Sequence, residues 1–130
     1  MTLSKSILVV EDNEENADML CRRLELRGFH VSLARDGVQA VARARDALPD
    51  LILMDLSLPE IDGWEATRRI KYERTTSSIP VIALTAHAMV EDRQRARDAG
   101  CNAFETKPVD LDKLLVVIDR FLGTGATAVA

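Results

Sequence analysis

The chain lacks any apolar run near the roughly 18 residues that a membrane span requires. It also lacks a positive charge excess. Seventeen Lys and Arg stand against 21 Asp and Glu, a formal net charge of −4, which argues against broad binding to a nucleic-acid backbone. Cysteine is scarce: Cys21 and Cys101 share no C-x-x-C spacing, and both read as small buried hydrophobes in a reducing cytosol. The opening residues, Met1 to Ser6, lack the apolar core of a signal peptide. No internal repeat and no linker divides the sequence. These absences predict a cytoplasmic protein that engages neither nucleic acid nor membrane.

What remains is enough for one domain with a real core: 130 residues, 47% of them hydrophobic and 29% charged. Leu51-Ile52-Leu53-Met54-Asp55 organises the rest. Four apolar residues ending in an aspartate read as a strand buried on both faces. Three other apolar runs end in a polar group in the same way. Ile7 to Val10 leads into Glu11-Asp12, Val81 to Leu84 ends at Thr85, and a short strand over 102–105 precedes Thr106-Lys107-Pro108. Phe29 to Ala34 alternates like an edge strand.

Helices are expected between the strands. Asn13 caps the first, with Ala17, Leu20, Cys21 and Leu24 inward and Gly28 as its stop. Asp36 caps the second, whose expected inner stripe is Val38, Val41, Ala44, Arg45 and Leu48. Asp62 and Glu65 form a cap-and-return pair for the third, Trp64 to Tyr72. Residues 89–99 form a fourth with a thin apolar face of Met89, Ala96 and Ala99, which makes it a movable element. Asp110 caps a fifth with a wide stripe from Leu111 to Leu122. Five alternations of strand and helix imply an α/β fold, a parallel sheet with helices on both faces joined by right-handed crossovers. The expected organisation is one domain over residues 1–122 and a flexible C-terminal tail over 123–130, with no output domain.

In a parallel sheet, Glu11, Asp12, Asp55, Thr85 and Lys107 share one edge, where wound sheets carry their chemistry. Three carboxylates meeting there repel one another. Lys107 supplies one positive charge, and a hard divalent cation is the natural source of the rest. Mg²⁺ fits, because it takes few carboxylates and keeps several waters. The Thr85 hydroxyl and the Lys107 ammonium can donate to phosphoryl oxygens, and a central carboxylate can be the covalent acceptor. Asp55, at the centre, is the expected acceptor.

Taken in order, Glu11-Asp12, Asp55, Thr85-Ala86, Phe104 and Lys107-Pro108 resemble the receiver domain of bacterial two-component response regulators. The resemblance covers residues 5–122. It implies a flavodoxin-like (βα)5 three-layer sandwich whose five parallel strands run 2-1-3-4-5. It implies that Asp55 takes a phosphoryl group from a histidine kinase or a histidine phosphotransfer protein. Asp12, Asp55 and the backbone carbonyl of Ser57 would bind Mg²⁺ (or Mn²⁺ in its place), with Glu11 reaching the ion directly or through water. Thr85 and Lys107 would hold the phosphoryl oxygens. Phe104 would be the aromatic switch residue that moves inward as Thr85 is drawn to the phosphoryl group, although it departs from the tyrosine often found there. The Lys107-Pro108 bond would be cis, against a general preference for trans.

Such a protein is a signalling phosphoprotein and not an enzyme, beyond Mg-dependent self-phosphorylation from small phosphodonors and self-dephosphorylation. Its output would pass through the fourth helix, fifth strand and fifth helix to a downstream protein, as a monomer or weak dimer. Plainer readings stand beside these. The lesser readings are Glu11 as a solvated loop charge and Phe104 as plain core, whereas His87 and Ser57 read at least as well as loop residues as they do as gates to the phosphoryl group. An aspartate-nucleophile phosphatase of the haloacid dehalogenase type needs a second acid two positions after Asp55, where Ser57 stands. A flavodoxin-type binding module needs a phosphate loop where Glu11-Asp12-Asn13-Glu14-Glu15 stands. A receiver domain excised from a hybrid histidine kinase would carry the same chemistry.

Overall fold

The structure, a computed structural model, describes residues 4–58, 61–86 and 89–123. His87 and the tail beyond Gly123 lie outside these residues. Strands and helices alternate as β1 Ser6–Val10, α1 Glu14–Leu26, β2 His30–Ala34, α2 Gly37–Ala47, β3 Leu51–Asp55, α3 Gly63–Tyr72, β4 Val81–Thr85, α4 Val90–Ala99, β5 Ala103–Thr106 and α5 Leu111–Leu122. The five strands form one sheet in the order β2-β1-β3-β4-β5, and every neighbouring pair is parallel. This is the flavodoxin-like order expected above.

The two-residue period of a strand divides the core. Leu8, Val10, Ile52, Met54, Val81 and Ala83 point to one face, where Ala40 and Ala44 of α2, Ala66 and Ile70 of α3, and Ala96 and Ala99 of α4 cover them. Ile7, Val9, Leu51, Leu53, Ile82 and Leu84 point to the other, under Leu24 of α1 and Leu114, Leu115 and Ile118 of α5. Helices therefore lie on both faces of a central sheet, and β3 is buried along its whole length.

The capping residues act as their chemistry requires. Asn13, Asp36, Asp62 and Asp110 each accept from the backbone N–H three residues on. Two details differ from expectation. The Glu65 carboxylate does not return to its cap; it pairs with Arg68 and Arg69 on the next turn. In α2 the buried residues are Gly37, Ala40 and Ala44, while Val38 is 53% and Leu48 54% exposed. Small side chains let this helix approach the sheet closely, so its inner face is set by size and not by hydrophobicity. Likewise Met89 is 64% exposed and belongs to no apolar face of α4. Cys21 and Cys101 are half-buried free thiols rather than fully buried ones.

Candidate functional site

Parallel pairing carries the ends of β1, β3, β4 and β5 to one edge. Glu11 and Asp12 follow β1, Asp55 and Thr85 close β3 and β4, and Lys107 follows β5. Backbone bonds hold these ends in place: Leu56 N–H donates to Leu84 O at 3.1 Å, and Lys107 N–H to Thr85 O at 2.7 Å. The Lys107-Pro108 bond is cis.

Glu11, Asp55 and Thr85 are almost wholly buried, at 4%, 3% and 3% exposure, whereas Asp12 is exposed. One carboxylate oxygen from each of Glu11, Asp12 and Asp55 lies within 4.8 Å of the others. Lys107 Nζ stands between two of the acids, 3.0 Å from Glu11 Oε1 and 3.1 Å from Asp55 Oδ2. The second oxygen of Asp55, Oδ1, accepts from Ser57 N–H at 3.0 Å, and Glu11 Oε2 accepts from Asn13 N–H at 3.3 Å. The central carboxylate is thereby held from two sides, by an ammonium and by the peptide two residues on.

The electrostatics follow from burial. Burial raises the pKa of Glu11, the facing Asp55 adds to the rise, and the Lys107 ammonium offsets part of it. For Lys107 burial works downward, yet contact with Glu11 and Asp55 outweighs it and the net shift is upward. The oxygen donors, one of them open to solvent, fit a hard divalent cation that retains water.

Phe104 sits at the middle of β5, half-buried against the α2–α3–α4 core, with the Arg93 guanidinium 5.3 Å from its ring centroid. Arg95 stands 4.6 Å over the Trp64 ring of α3. No local sequence pattern points to these two contacts, because each joins residues of different elements. Sequence reasoning also missed a groove of about 540 Å³ that opens beside Glu11 and Lys107 and is lined by Asn16, Met19 and Arg23 of α1 and by Pro108, Val109 and Leu111. The available signal was Met19, an apolar residue 53% exposed on an otherwise polar helix face.

Residues 7–119 match the response regulator receiver domain family. The chain belongs to this family. It is 40% identical over 121 residues to the polar-differentiation response regulator DivK of Brucella ovis, covering 93% of this chain and 98% of that protein. Among solved structures, the receiver domain of a sensor histidine kinase from Pseudomonas aeruginosa PAO1, which has a magnesium ion coordinated in its active-site cleft, superimposes with a TM-score of 0.87. It is 38% identical, with 94% of this chain and 100% of that chain covered. The chemotaxis protein CheY4 of Vibrio cholerae is 26% identical with a TM-score of 0.87, covering 92% and 99% of the two chains. This is therefore a receiver domain of two-component signalling, a signalling module and not a conventional enzyme. No helix among the described residues is long and apolar enough to cross a membrane.

Proposed function

We propose that Asp55 is the phosphoacceptor of this receiver and that a phosphohistidine, on a histidine kinase or a phosphotransfer protein, is its donor. A carboxylate oxygen of Asp55 attacks phosphorus, the P–N bond breaks, and the imidazole nitrogen keeps the electron pair. The observation that carries this reading is the setting of Asp55. It is a nearly buried carboxylate at the end of the central strand, within 3.1 Å of the Lys107 ammonium and at the meeting point of two further acids.

The chain's own residues divide the work. Asp12, Asp55 and the Ser57 carbonyl would hold Mg²⁺, or Mn²⁺ in its place, with Glu11 reaching the ion directly or through water. The bound cation supplies positive charge to the phosphoryl oxygens. Lys107 and Thr85 donate to those oxygens. Ser57 N–H keeps the acceptor oriented, and burial of Glu11 and Asp55 limits water at the acyl phosphate. The same site accepts small phosphodonors such as acetyl phosphate and slowly loses its phosphoryl group to water.

The groove between α1 and Pro108-Val109 suits the donor protein, since it opens beside Lys107. Output passes from Thr85 and Phe104 to the surface of α4, β5 and α5, where a downstream protein or a second copy docks as a weak dimer. We place this signalling in the cytoplasm. The likeness to a receiver domain within a Pseudomonas histidine kinase favours one second reading, a phosphorelay role as part of a hybrid kinase, with identical chemistry.

Incubation with acetyl phosphate and Mg²⁺ followed by intact-mass measurement tests the core of this reading. The wild-type chain is expected to gain one phosphoryl mass and Asp55→Asn none. An Asp55→Asn chain that gains it at the wild-type rate would falsify the assignment.

A further inference from the structure

The peptide that follows Asp55 is tied on both sides. Leu56 N–H donates to Leu84 O of β4 at 3.1 Å, and Leu56 O accepts from Gly63 N–H, the first residue of α3, at 3.2 Å. One residue further, Ser57 N–H donates to Asp55 Oδ1. The orientation of the Asp55 carboxylate is thus fixed by the path of residues 56–57, and that path is fixed by how closely α3 presses on it.

Gly63 makes that approach possible. A Cβ built there would lie 2.3 Å from Asp55 O and 2.6 Å from Leu56 Cα, inside any real carbon contact. The far end of the same loop meets a second glycine. A Cβ on Gly37, at the start of α2, would lie 2.2 Å from Ile61 O and 2.4 Å from Ile61 Cγ1. Neither glycine has a left-handed backbone, so what each supplies is space and not conformational freedom. Gly28 is the opposite case: its φ is +93° and nothing lies within 4 Å of its added Cβ. The obstructing atoms at Gly63 are backbone, and those at Gly37 include a backbone carbonyl. Rotating a side chain therefore does not relieve either contact; the loop itself must move.

We infer that Gly63 and Gly37 are positioning residues for the acceptor, the first setting the backbone at Asp55–Leu56 and the second at Ile61, so that Ser57 N–H and the Ser57 carbonyl stand correctly about Asp55. The inference rests on the proposed role of Asp55 and extends it to residues that touch neither phosphoryl group nor metal. A methyl at position 63 displaces the Asp55–Leu56 backbone by about 1 Å, the separation needed to restore an ordinary contact, and displacements of that size cost about 100-fold in rate where geometry is demanding. A methyl at position 37 pushes at Ile61, two residues before Gly63, whose N–H is bonded to Leu56 O, and does the same more weakly.

The test compares Gly63→Ala, Gly37→Ala and Gly28→Ala with wild type, each at a temperature where circular dichroism reports a folded chain. Three quantities are read: the Mg²⁺ dissociation constant, hydrogen exchange at the Ser57 amide, and the rate of phosphorylation from acetyl phosphate at saturating Mg²⁺. Gly63→Ala is expected to raise the Mg²⁺ dissociation constant about 10-fold, to speed Ser57 exchange and to lower the rate about 10- to 100-fold, with Gly37→Ala intermediate. Gly28→Ala, strained by its left-handed backbone, loses melting temperature while keeping all three values. A purely structural role for Gly63 predicts the Gly28→Ala pattern, so a folded Gly63→Ala chain with wild-type Mg²⁺ affinity and rate overturns the inference. If Gly63→Ala does not fold, Gly37→Ala decides by the same readings. If neither folds, the glycines are requirements of the fold and the positioning role is withdrawn. Failure of wild type to gain a phosphoryl mass on Asp55 counts against the proposed function instead, and Mg²⁺ affinity and Ser57 exchange still judge the glycines.

Discussion

Lys107 Nζ lies 3.1 Å from Asp55 Oδ2, and the same ammonium lies 3.0 Å from Glu11 Oε1. One cation therefore serves two acids that are almost wholly buried. Its removal leaves those acids facing each other in a medium that screens them poorly. Lys107→Met should lower stability by about 2 kcal/mol, less than the 3–5 kcal/mol for breaking a wholly buried pair because the Lys107 side chain keeps some solvent contact. Added Mg²⁺ should restore part of the loss. Urea unfolding with and without Mg²⁺ reads both effects, and a Lys107→Met chain as stable as wild type would show that the acids are neutralised by another group.

Mg²⁺ should raise the melting temperature of the wild-type chain, because a ligand held only by the native site stabilises by mass action. Asp12 is the exposed member of the acid cluster, so Asp12→Asn removes a proposed metal ligand without leaving a buried group unpaired. Most of the Mg²⁺-dependent rise should vanish in this variant. In metal-free buffer it should be as stable as wild type or slightly more stable, by under about 1 kcal/mol for an exposed charge. A full Mg²⁺ response in Asp12→Asn would place the ion elsewhere.

The raised pKa of Glu11 gives a pH signature in metal-free protein. A folded-state pKa above the unfolded value means that the native chain holds this proton more tightly than the unfolded one. The Glu11 contribution to stability is then fully present below the unfolded pKa, about 4.5, and is lost as pH rises through the higher folded value. Glu11→Gln cannot titrate. The stability difference between wild type and Glu11→Gln should therefore shift against wild type as pH rises from about 4.5, then level off. Denaturant unfolding across a pH series measures it; a flat difference would mean that Lys107 compensates Glu11 completely.

The edge on which the site lies was legible in the sequence because each strand is a short apolar run closed by a polar residue. Asp55, Thr85 and the Glu11-Asp12 pair are visible as such, and the period-two alternation assigns β1, β3 and β4 to two buried faces. The caps were legible for the same local reason: Asn13, Asp36, Asp62 and Asp110 each bond within three residues. What escaped depends on distance in space. The α2 stripe held at Ala44 but put Val38 and Leu48 inward in place of Gly37 and Ala40, whose burial follows from small size, which hydrophobic weighting ignores. The close approach of Gly63 to Asp55 O, and the arginines above Trp64 and Phe104, join elements whose relative placement no local pattern encodes.

Helix α4 is the element those arginines describe. Only Ala96 and Ala99 are buried along it, its Met89 cap makes no side-chain bond, and Val90 is 79% exposed. Two methyl groups contribute little burial, so the cation–π contacts, each worth about 0.5–1 kcal/mol at a solvent-facing site, are a large share of what seats it. Arg93 leans on Phe104 of β5 and Arg95 on Trp64 of α3, so a shift of α4 disturbs both rings. By contrast α5 buries Leu114, Leu115 and Ile118 and is a fixed wall. On the proposed role of Asp55, a phosphoryl group there should draw Thr85 toward it, and the thinly held α4 is the element expected to move in response. Trp64 is the single tryptophan, so its fluorescence reports this motion without a label. Beryllofluoride with Mg²⁺, a phosphoryl mimic, should change Trp64 emission and raise hydrogen exchange over residues 89–99, with a smaller change in β5. Arg95→Ala should remove most of the emission change while leaving phosphorylation of Asp55 intact. Exchange that changes only in α1 and α2, with α4 and β5 untouched, would place the switch on the helices beside β1 and β2 instead.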